Sequence, residues 1–274
     1  MARQAVVSRE YKVMLRTDRF AGAEGRLVDR ANEFFADLGA AASPVTLGTH
    51  GAFEAGGKQR RIRFWDTESQ HLNKLGYICR QREKLTNAER EITLKFRHRD
   101  RHVSQDRDMG AVGGVQAKTK FEEDIKKPFI SLYSFSTTAD VEDEQPFRRL
   151  GDVGSLFPDL RDRIGAADSD RAMVAVNDFV VRELVLEKAF LTLDRAPTAD
   201  AECAIVVWYR IGGDAEQPVA VEFSYRYGNK EEEYAGAMAA RASDAFTALQ
   251  GLSHWLDPSD LTKTELVYGK GHGD

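Results

Sequence analysis

Charged side chains occur at every second position in several segments of this chain. In a β-strand, residues two apart point to the same side, so this spacing gathers charges on one face of a sheet. The intervening positions are mostly apolar, as Ile92, Leu94 and Phe96 illustrate, so the apolar face is the packed one. Unpaired charges are not left in a dry core, and the charged face therefore suits a polyanion and its metal ion. The spacing recurs in five groups: Glu10 and Lys12; Arg80 and Arg82; Thr93, Lys95 and Arg97; Lys118, Lys120, Glu122 and Asp124; and Glu222, Ser224 and Arg226.

Composition narrows the class of protein. The 274 residues carry a formal net charge of -5, and the pI is about 5.8. This balance argues against general nucleic-acid binding, which needs a basic surface. Cys79 and Cys203 are too few for a disulfide framework and indicate reduced thiols. The first residues lack the apolar stretch of a signal peptide, and no apolar run approaches the roughly 20 residues of a membrane span. We therefore expect a cytoplasmic location and no membrane partner.

The charged faces lie on a chain with many predicted strands and few long predicted helices. The Gly-rich segment 44–57 predicts a loop with a short strand, and segments near 99–116 and 129–175 are expected to be irregular, the second with short helices. The pattern predicts one α+β domain over residues 1–274, an antiparallel barrel with helices packed outside. Strands are predicted at 5–16, 58–66, 76–83, 90–98, 117–125, 180–194, 203–211 and 218–227, and helices at 23–38 and 230–250.

One segment resembles a known family. The stretch from Arg63 to Glu83 reads RFWDTESQHLNKLGYICRQRE and is similar to the segment YFDT…L…GYALRxR of the CYTH superfamily, the triphosphate tunnel metalloenzymes. Further elements follow in the family's order: an E-x-K strand, an I-T-L-K strand, a basic-x-acidic-x-acidic strand, a late acidic strand and a Lys-then-Tyr tail. These are carried by Glu10 and Lys12, by Ile92 to Lys95, by Lys120, Glu122 and Asp124, by Glu222, and by Lys263 and Tyr268.

The resemblance implies an eight-stranded antiparallel tunnel in which basic residues grip a triphosphate and acidic residues hold Mg²⁺ or Mn²⁺. Members of the family hydrolyse inorganic triphosphate, thiamine triphosphate or RNA 5′-triphosphates, and some cyclise ATP. The implied metal ligands are Glu10, Glu122, Asp124 and Glu222. The implied catalytic residues, which neutralise charge on the phosphate oxygens, are Lys12, Arg80, Arg82 and Lys95. The implied substrate-binding residues are Lys12, Arg63, Arg80, Arg82, Lys95, Arg97, Lys120, Arg182 and Arg226.

Two positions depart from the family's pattern. The first strand normally reads E-x-E-x-K, but here Ser8 stands at the first acidic position. The late strand often reads E-x-E, but here Ser224 stands at the second. A serine hydroxyl is a poor Mg²⁺ ligand beside a carboxylate. The departures therefore predict weak metal binding and leave a second metal ion unsupported.

Three functions remain open from the sequence. The first is a metal-dependent hydrolase of an inorganic or organic triphosphate. The second is a protein that binds a polyphosphate or nucleotide with little or no turnover, and the third is a class IV-type adenylyl cyclase. The charges also have a plainer interpretation, a solvated sheet face with cross-strand ion pairs, in which Glu122 and Asp124 pair with nearby arginines.

Overall fold

A closed barrel of nine strands forms the centre of the computed structural model, which describes residues 4–195, 200–259 and 261–269. The order around the barrel is β1-β5-β6-β4-β3-β2-β7-β8-β9. The strands are β1 (Ser8–Leu15), β2 (Thr49–Thr67), β3 (Tyr77–Lys84), β4 (Arg90–His98), β5 (Ala117–Lys126), β6 (Ile130–Val141), β7 (Met173–Thr192), β8 (Asp200–Arg210) and β9 (Ala220–Tyr227).

The α+β barrel with outer helices is confirmed, and two details of the expected topology are wrong. The described part of the chain contributes nine strands rather than eight, and β1 pairs with β5 in parallel while the other neighbours are antiparallel. The helices are α1 (Glu24–Ala42), α2 (His71–Lys74), α3 (Arg101–Gln105), α4 (Leu150–Leu156), α5 (Pro158–Ile164), α6 (Gly236–Gln250) and α7 (Lys263–Tyr268).

Alternation along each strand separates an outer apolar face from an inner charged face. In β3, Tyr77 and Cys79 are buried outward, whereas Arg80 and Arg82 alternate with them and line the interior. One outer cluster packs α1 and α6 against β1 and β7 to β9, with Phe34, Phe223 and Phe246 fully buried. A second cluster packs α2, α4 and α5 against β3, β4 and β6. Helix packing thus covers the outer apolar faces. The barrel interior holds the charges and, beside them, a third apolar cluster that includes Ile62, Phe64 and Trp208 and packs against α7.

Three segments differ from the sequence prediction. Residues 130–141 form β6 rather than an irregular stretch. The sequence pattern did not reveal this strand because its inward positions Ser134, Ser136 and Thr138 carry no charge. The Gly-rich segment joins the long strand β2, which begins at Thr49 and accommodates register shifts against β7. Helix α6 begins at Gly236 rather than near residue 230. The assignment of residues 1–274 to one domain stays a prediction.

Two expectations about the chain's environment can be compared with the structure. Cys79 and Cys203 are buried free thiols. None of the helices in the described ranges has the length and apolar character that crossing a membrane requires.

Candidate functional site

A cavity of about 680 Å³ lies inside the barrel and is lined by residues of all nine strands. We refer to it as the barrel cavity. Its lining contains fourteen lysines and arginines against eight aspartates and glutamates, an excess of six formal positive charges. The whole chain carries a formal charge of -5, so the positive charge is concentrated inside the barrel. A wall of one predominant sign focuses the field within a cleft and favours anions there.

The barrel cavity brings together eleven of the thirteen residues that the sequence assigned to the site. The alternating spacing correctly predicted the inward direction of their side chains. These residues are Glu10, Lys12, Arg80, Arg82, Lys95, Arg97, Lys120, Glu122, Asp124, Glu222 and Arg226.

Arg63 and Arg182 lie elsewhere, which corrects their assignment to the substrate. On β2, the inward positions are those of Arg60 and Phe64, so Arg63 has the opposite parity. The Arg63 guanidinium bonds Glu144 at 2.8 Å, on the outside of the barrel. Arg182 lies over the ring of Tyr209 at 4.9 Å.

Asp124 is the centre of an ion-pair cluster on the cavity wall. Its Oδ1 accepts a hydrogen bond from Lys12 Nζ at 2.8 Å. Its Oδ2 accepts from Lys95 Nζ at 3.1 Å, Arg97 at 3.1 Å and the Ser134 hydroxyl at 2.7 Å. Burial opposes the charge of this carboxylate, but the three cations hold the pKa of Asp124 well below its usual range. The plainer sequence interpretation, in which Asp124 pairs with a nearby arginine, is confirmed for this residue.

The cations around Asp124 are not fully compensated. Burial lowers the pKa of Lys95 to about 8 despite the attraction of Asp124, with Arg97 and Lys12 acting in the same direction as burial. Lys12 has a second carboxylate, Glu10, at 2.9 Å, and the two carboxylates outweigh burial and raise its pKa. Three cations therefore share two carboxylates, and an added anion would be complementary to the excess charge.

Arg80 is a cation of the wall without an ion-pair partner among the described residues. Within the described residues its side chain has no carboxylate at ion-pair distance, and its buried Nε has no hydrogen-bond partner. Burial, reinforced by the charge of Arg82, lowers the pKa of Arg80 to about 9. Arg82 pairs with Glu91 at 3.2 Å, but its own Nε is also buried without a partner. A buried guanidinium N–H without an acceptor is costly, and an anion that reached it from the cavity would remove that cost.

The four predicted metal ligands do not converge on one ion. Strand β1 lies between β5 and β9 and gives a common scale for the two glutamates. Glu122 of β5 pairs with Ser8 of β1, whereas Glu222 of β9 pairs with Met14 of β1. Six residues of strand separate these two levels by about 20 Å, at about 3.3 Å per residue. No ion can be shared across that distance by two glutamate side chains. In the ranges that the structure covers, no three His, Cys, Asp or Glu side chains form a group that could hold a metal ion.

Each predicted metal ligand instead has a cationic neighbour. Glu222 pairs with Lys263 of α7 at 3.0 Å, and Glu122 lies 3.7 Å from Lys120. Glu10 is register neighbour to Asp124, which makes these two the adjacent pair of the set. The Lys12 ammonium lies between them. The donor set as predicted therefore does not fit a divalent cation in this arrangement.

The sequence missed several residues of the cavity wall. Glu183 is buried, and its carboxylate accepts from Trp208 Nε1 at 3.0 Å and pairs with Arg60 at 3.4 Å. Next to Arg60 and Glu183, the inward residues two positions away are apolar: Ile62 on β2 and Val181 on β7. Charge therefore does not recur at every second position around them. The sequence feature that could have identified them is a single charged residue within an otherwise apolar segment.

Comparison with known proteins gives structural likenesses alone. No protein-family model matches the sequence, and no curated protein matches it. A solved putative adenylyl cyclase from Hippeastrum, described as having a dominant triphosphatase activity, is 13% identical with a TM-score of 0.44, covering 93% of each chain. A putative adenylate cyclase from Bacillus halodurans is 14% identical with a TM-score of 0.43, covering 98% of this chain and 100% of that one.

A putative adenylate cyclase from Vibrio parahaemolyticus is 9% identical with a TM-score of 0.38, covering 96% of this chain and 98% of the other. The cyclase and triphosphatase names match two activities that the sequence resemblance implies. At these identities and TM-scores, the likenesses carry no argument about what this chain does.

Proposed function

We infer that the barrel cavity binds the triphosphate group of a small molecule, inorganic triphosphate or a nucleotide. The observation that carries this proposal is the half-buried Arg80 guanidinium, whose buried Nε has no hydrogen-bond partner, which faces a cavity with six excess positive charges, and which has no carboxylate partner within the described chain. A cavity-facing cation without a partner is expected where an anion completes the site. The resemblance to the CYTH superfamily supports a triphosphate as that anion.

The types of cation in the wall fit this ligand. Arginine presents a planar fork that matches two phosphate oxygens, while lysine acts as a point charge. Arg80 and Arg82 supply forks on β3, and Lys12 and Lys95 supply point charges on β1 and β4. A cavity of about 680 Å³ lies within the range of small-molecule sites, about 300 to 1,000 Å³.

The experiment is a thermal melt with tripolyphosphate, pyrophosphate and orthophosphate at low salt. A ligand at 100 times its dissociation constant stabilises the fold by about 2.7 kcal/mol. We expect the melting temperature to rise most with tripolyphosphate and the shift to shrink as salt screens the charges. Equal melting temperatures with and without millimolar tripolyphosphate, in buffer with or without Mg²⁺, would contradict the proposal.

Metal-dependent hydrolysis and ATP cyclisation stay predictions from the sequence. Phosphate release from tripolyphosphate, thiamine triphosphate and ATP, each with Mg²⁺ or Mn²⁺, tests the first. Formation of cyclic AMP from ATP tests the second. Binding without either product would leave the protein a triphosphate-binding protein.

A further inference from the structure

The two adjacent carboxylates of the cavity wall enclose a lysine rather than an open position. Lys12 Nζ lies 2.9 Å from Glu10 Oε2 and 2.8 Å from Asp124 Oδ1. Glu10 and Asp124 are register neighbours across the parallel pair β1·β5, and Lys12 follows Glu10 on the same face of β1. A divalent cation held by these two carboxylates would need the volume that the ammonium group occupies.

Glu222 is a third carboxylate that attracts the Lys12 ammonium, but it is itself paired with Lys263 at 3.0 Å. Ser224, the register neighbour of Lys12 on β9, is buried, and with Lys12 it lowers the pKa of Glu10 against the opposing effect of burial. Ser8 lies two residues before Glu10 on the same strand face, level with Glu122. Hydroxyl groups are neutral, so they do not offset the double charge of a metal ion. Two carboxylates and two hydroxyls suit one ammonium group better than a small hard dication.

We propose that Lys12 takes the place of a divalent cation, so that the barrel cavity binds a triphosphate in the absence of metal. The inference rests on the proposed function. Glu10 and Asp124 act as positioning residues: they fix the Lys12 ammonium, and Asp124 also holds Lys95 and Arg97 against the wall. The excess of six positive charges in the lining already counts these carboxylates, so the wall needs no added cation to attract a polyanion.

The test measures the dissociation constant of tripolyphosphate by calorimetry, once with EDTA and once with Mg²⁺ at equal free tripolyphosphate. We expect binding in EDTA, with constants that differ less than about threefold between the two buffers, or about 0.65 kcal/mol. Binding that requires Mg²⁺, or is about threefold or more tighter with it, overturns the inference and leaves the proposed function standing. No binding in either buffer overturns both.

Variants of Lys12 test the assignment to this residue. Lys12→Met removes the ammonium and leaves Glu10 and Asp124 facing each other, so binding in EDTA should weaken at least about tenfold. Mg²⁺ should then restore part of the affinity, because this ion is commonly held by one or two carboxylates together with substrate phosphates. A purely structural role of Lys12 would not create metal dependence, so equal weakening with and without Mg²⁺ contradicts the proposal.

Two further variants control for charge and folding. Lys12→Arg keeps a cation between the carboxylates and should bind in EDTA without requiring metal, which also covers the case in which Lys12→Met does not fold. A metal requirement in Lys12→Arg would contradict the proposal. Lys84→Met removes a lysine that does not line the barrel cavity and should bind like the parent protein in both buffers.

Discussion

Lys12 Nζ lies 2.8 Å from Asp124 Oδ1 and joins β1 to β5, the parallel pair of the barrel. The carboxylate that receives it also contacts Lys95 and Arg97. This arrangement gathers three cations around one buried anion, and the wall keeps a surplus of positive charge. A site of this kind is complementary to a ligand with several negative charges, which is why the carboxylates and the cations must be considered together.

The first prediction concerns Arg80. Arg80→Met should weaken tripolyphosphate binding about tenfold to a hundredfold, because a hydrogen bond to a charged group contributes about 1.5 to 3 kcal/mol. The same change should leave the free protein at least as stable, since it removes a half-buried cation that has a buried N–H without an acceptor and no carboxylate partner among the described residues. Calorimetry measures the first effect and urea unfolding the second.

The matched control is Arg63→Met, which removes an arginine on the neighbouring strand whose side chain lies outside the barrel. Its affinity should equal that of the parent protein. An Arg63→Met loss as large as that of Arg80→Met would mean that the ligand binds the outer face.

The second prediction concerns the stability that Asp124 contributes. Asp124→Asn leaves Lys12, Lys95 and Arg97 without the buried charge that they share, and removing one partner of a buried ion pair costs about 3 to 5 kcal/mol. The free energy of unfolding, measured in urea at pH 7, should fall by an amount of that order. Glu202→Gln removes one partner of the exposed pair with Arg226 and should cost less than about 1 kcal/mol. Equal losses in the two variants would refute the central position of Asp124.

The third prediction concerns pH. Burial lowers the pKa of Lys95 to about 8 from 10.5, and a bound anion favours the protonated amine. Binding therefore takes up protons above pH 8, and affinity should fall by up to about tenfold between pH 8 and pH 9, the range in which Lys95 loses its proton before Arg80, whose pKa is about 9. The Lys95→Arg variant keeps its positive charge, so its affinity for tripolyphosphate should fall less steeply between pH 7 and 9. The titration of the ligand itself is common to both proteins, so parallel pH profiles would rule out Lys95 as the titrating group.

The fourth prediction concerns the turn from β2 into α2. The buried Asp66 carboxylate accepts backbone N–H groups of Thr67, Leu72 and Asn73 at 2.7, 2.9 and 3.0 Å. Asp66→Ala should lower the free energy of unfolding by at least about 2 kcal/mol, because buried donors lose their acceptor. The exposed Asp100 caps α3 in the same way, and Asp100→Ala should cost about 1 kcal/mol. A loss from Asp66→Ala no larger than from Asp100→Ala would contradict this interpretation.

The sequence predicted the inward face well where charge itself alternates. Arg80 and Arg82, or Lys120, Glu122 and Asp124, reveal their direction because their neighbours are apolar. Strand β6 escaped prediction because serine and threonine mark its inward positions as weakly as they mark a loop. Arg63 was misassigned because Ile62 and Phe64, the apolar residues that alternate with it, face the barrel interior here instead of the outer core.

The partners of the carboxylates could not be predicted from local pattern. Whether Glu10, Glu122 and Glu222 share an ion depends on the register of β1 against β5 and β9, strands that lie more than one hundred positions away from it in sequence. A shift of two residues on either side would have changed which acids lie level with one another. Spacing within a strand fixes the face on which a carboxylate lies, but only cross-strand register fixes its distance from the others.

The most direct test of triphosphate binding in the barrel cavity is a crystal structure of the protein grown with tripolyphosphate in EDTA. We predict density for the ligand inside the barrel, with phosphate oxygens within hydrogen-bond distance of the Arg80 guanidinium and of Lys12 or Lys95. An empty cavity at a ligand concentration that raises the melting temperature, or tripolyphosphate bound at Arg63 on the outer face, would contradict the account.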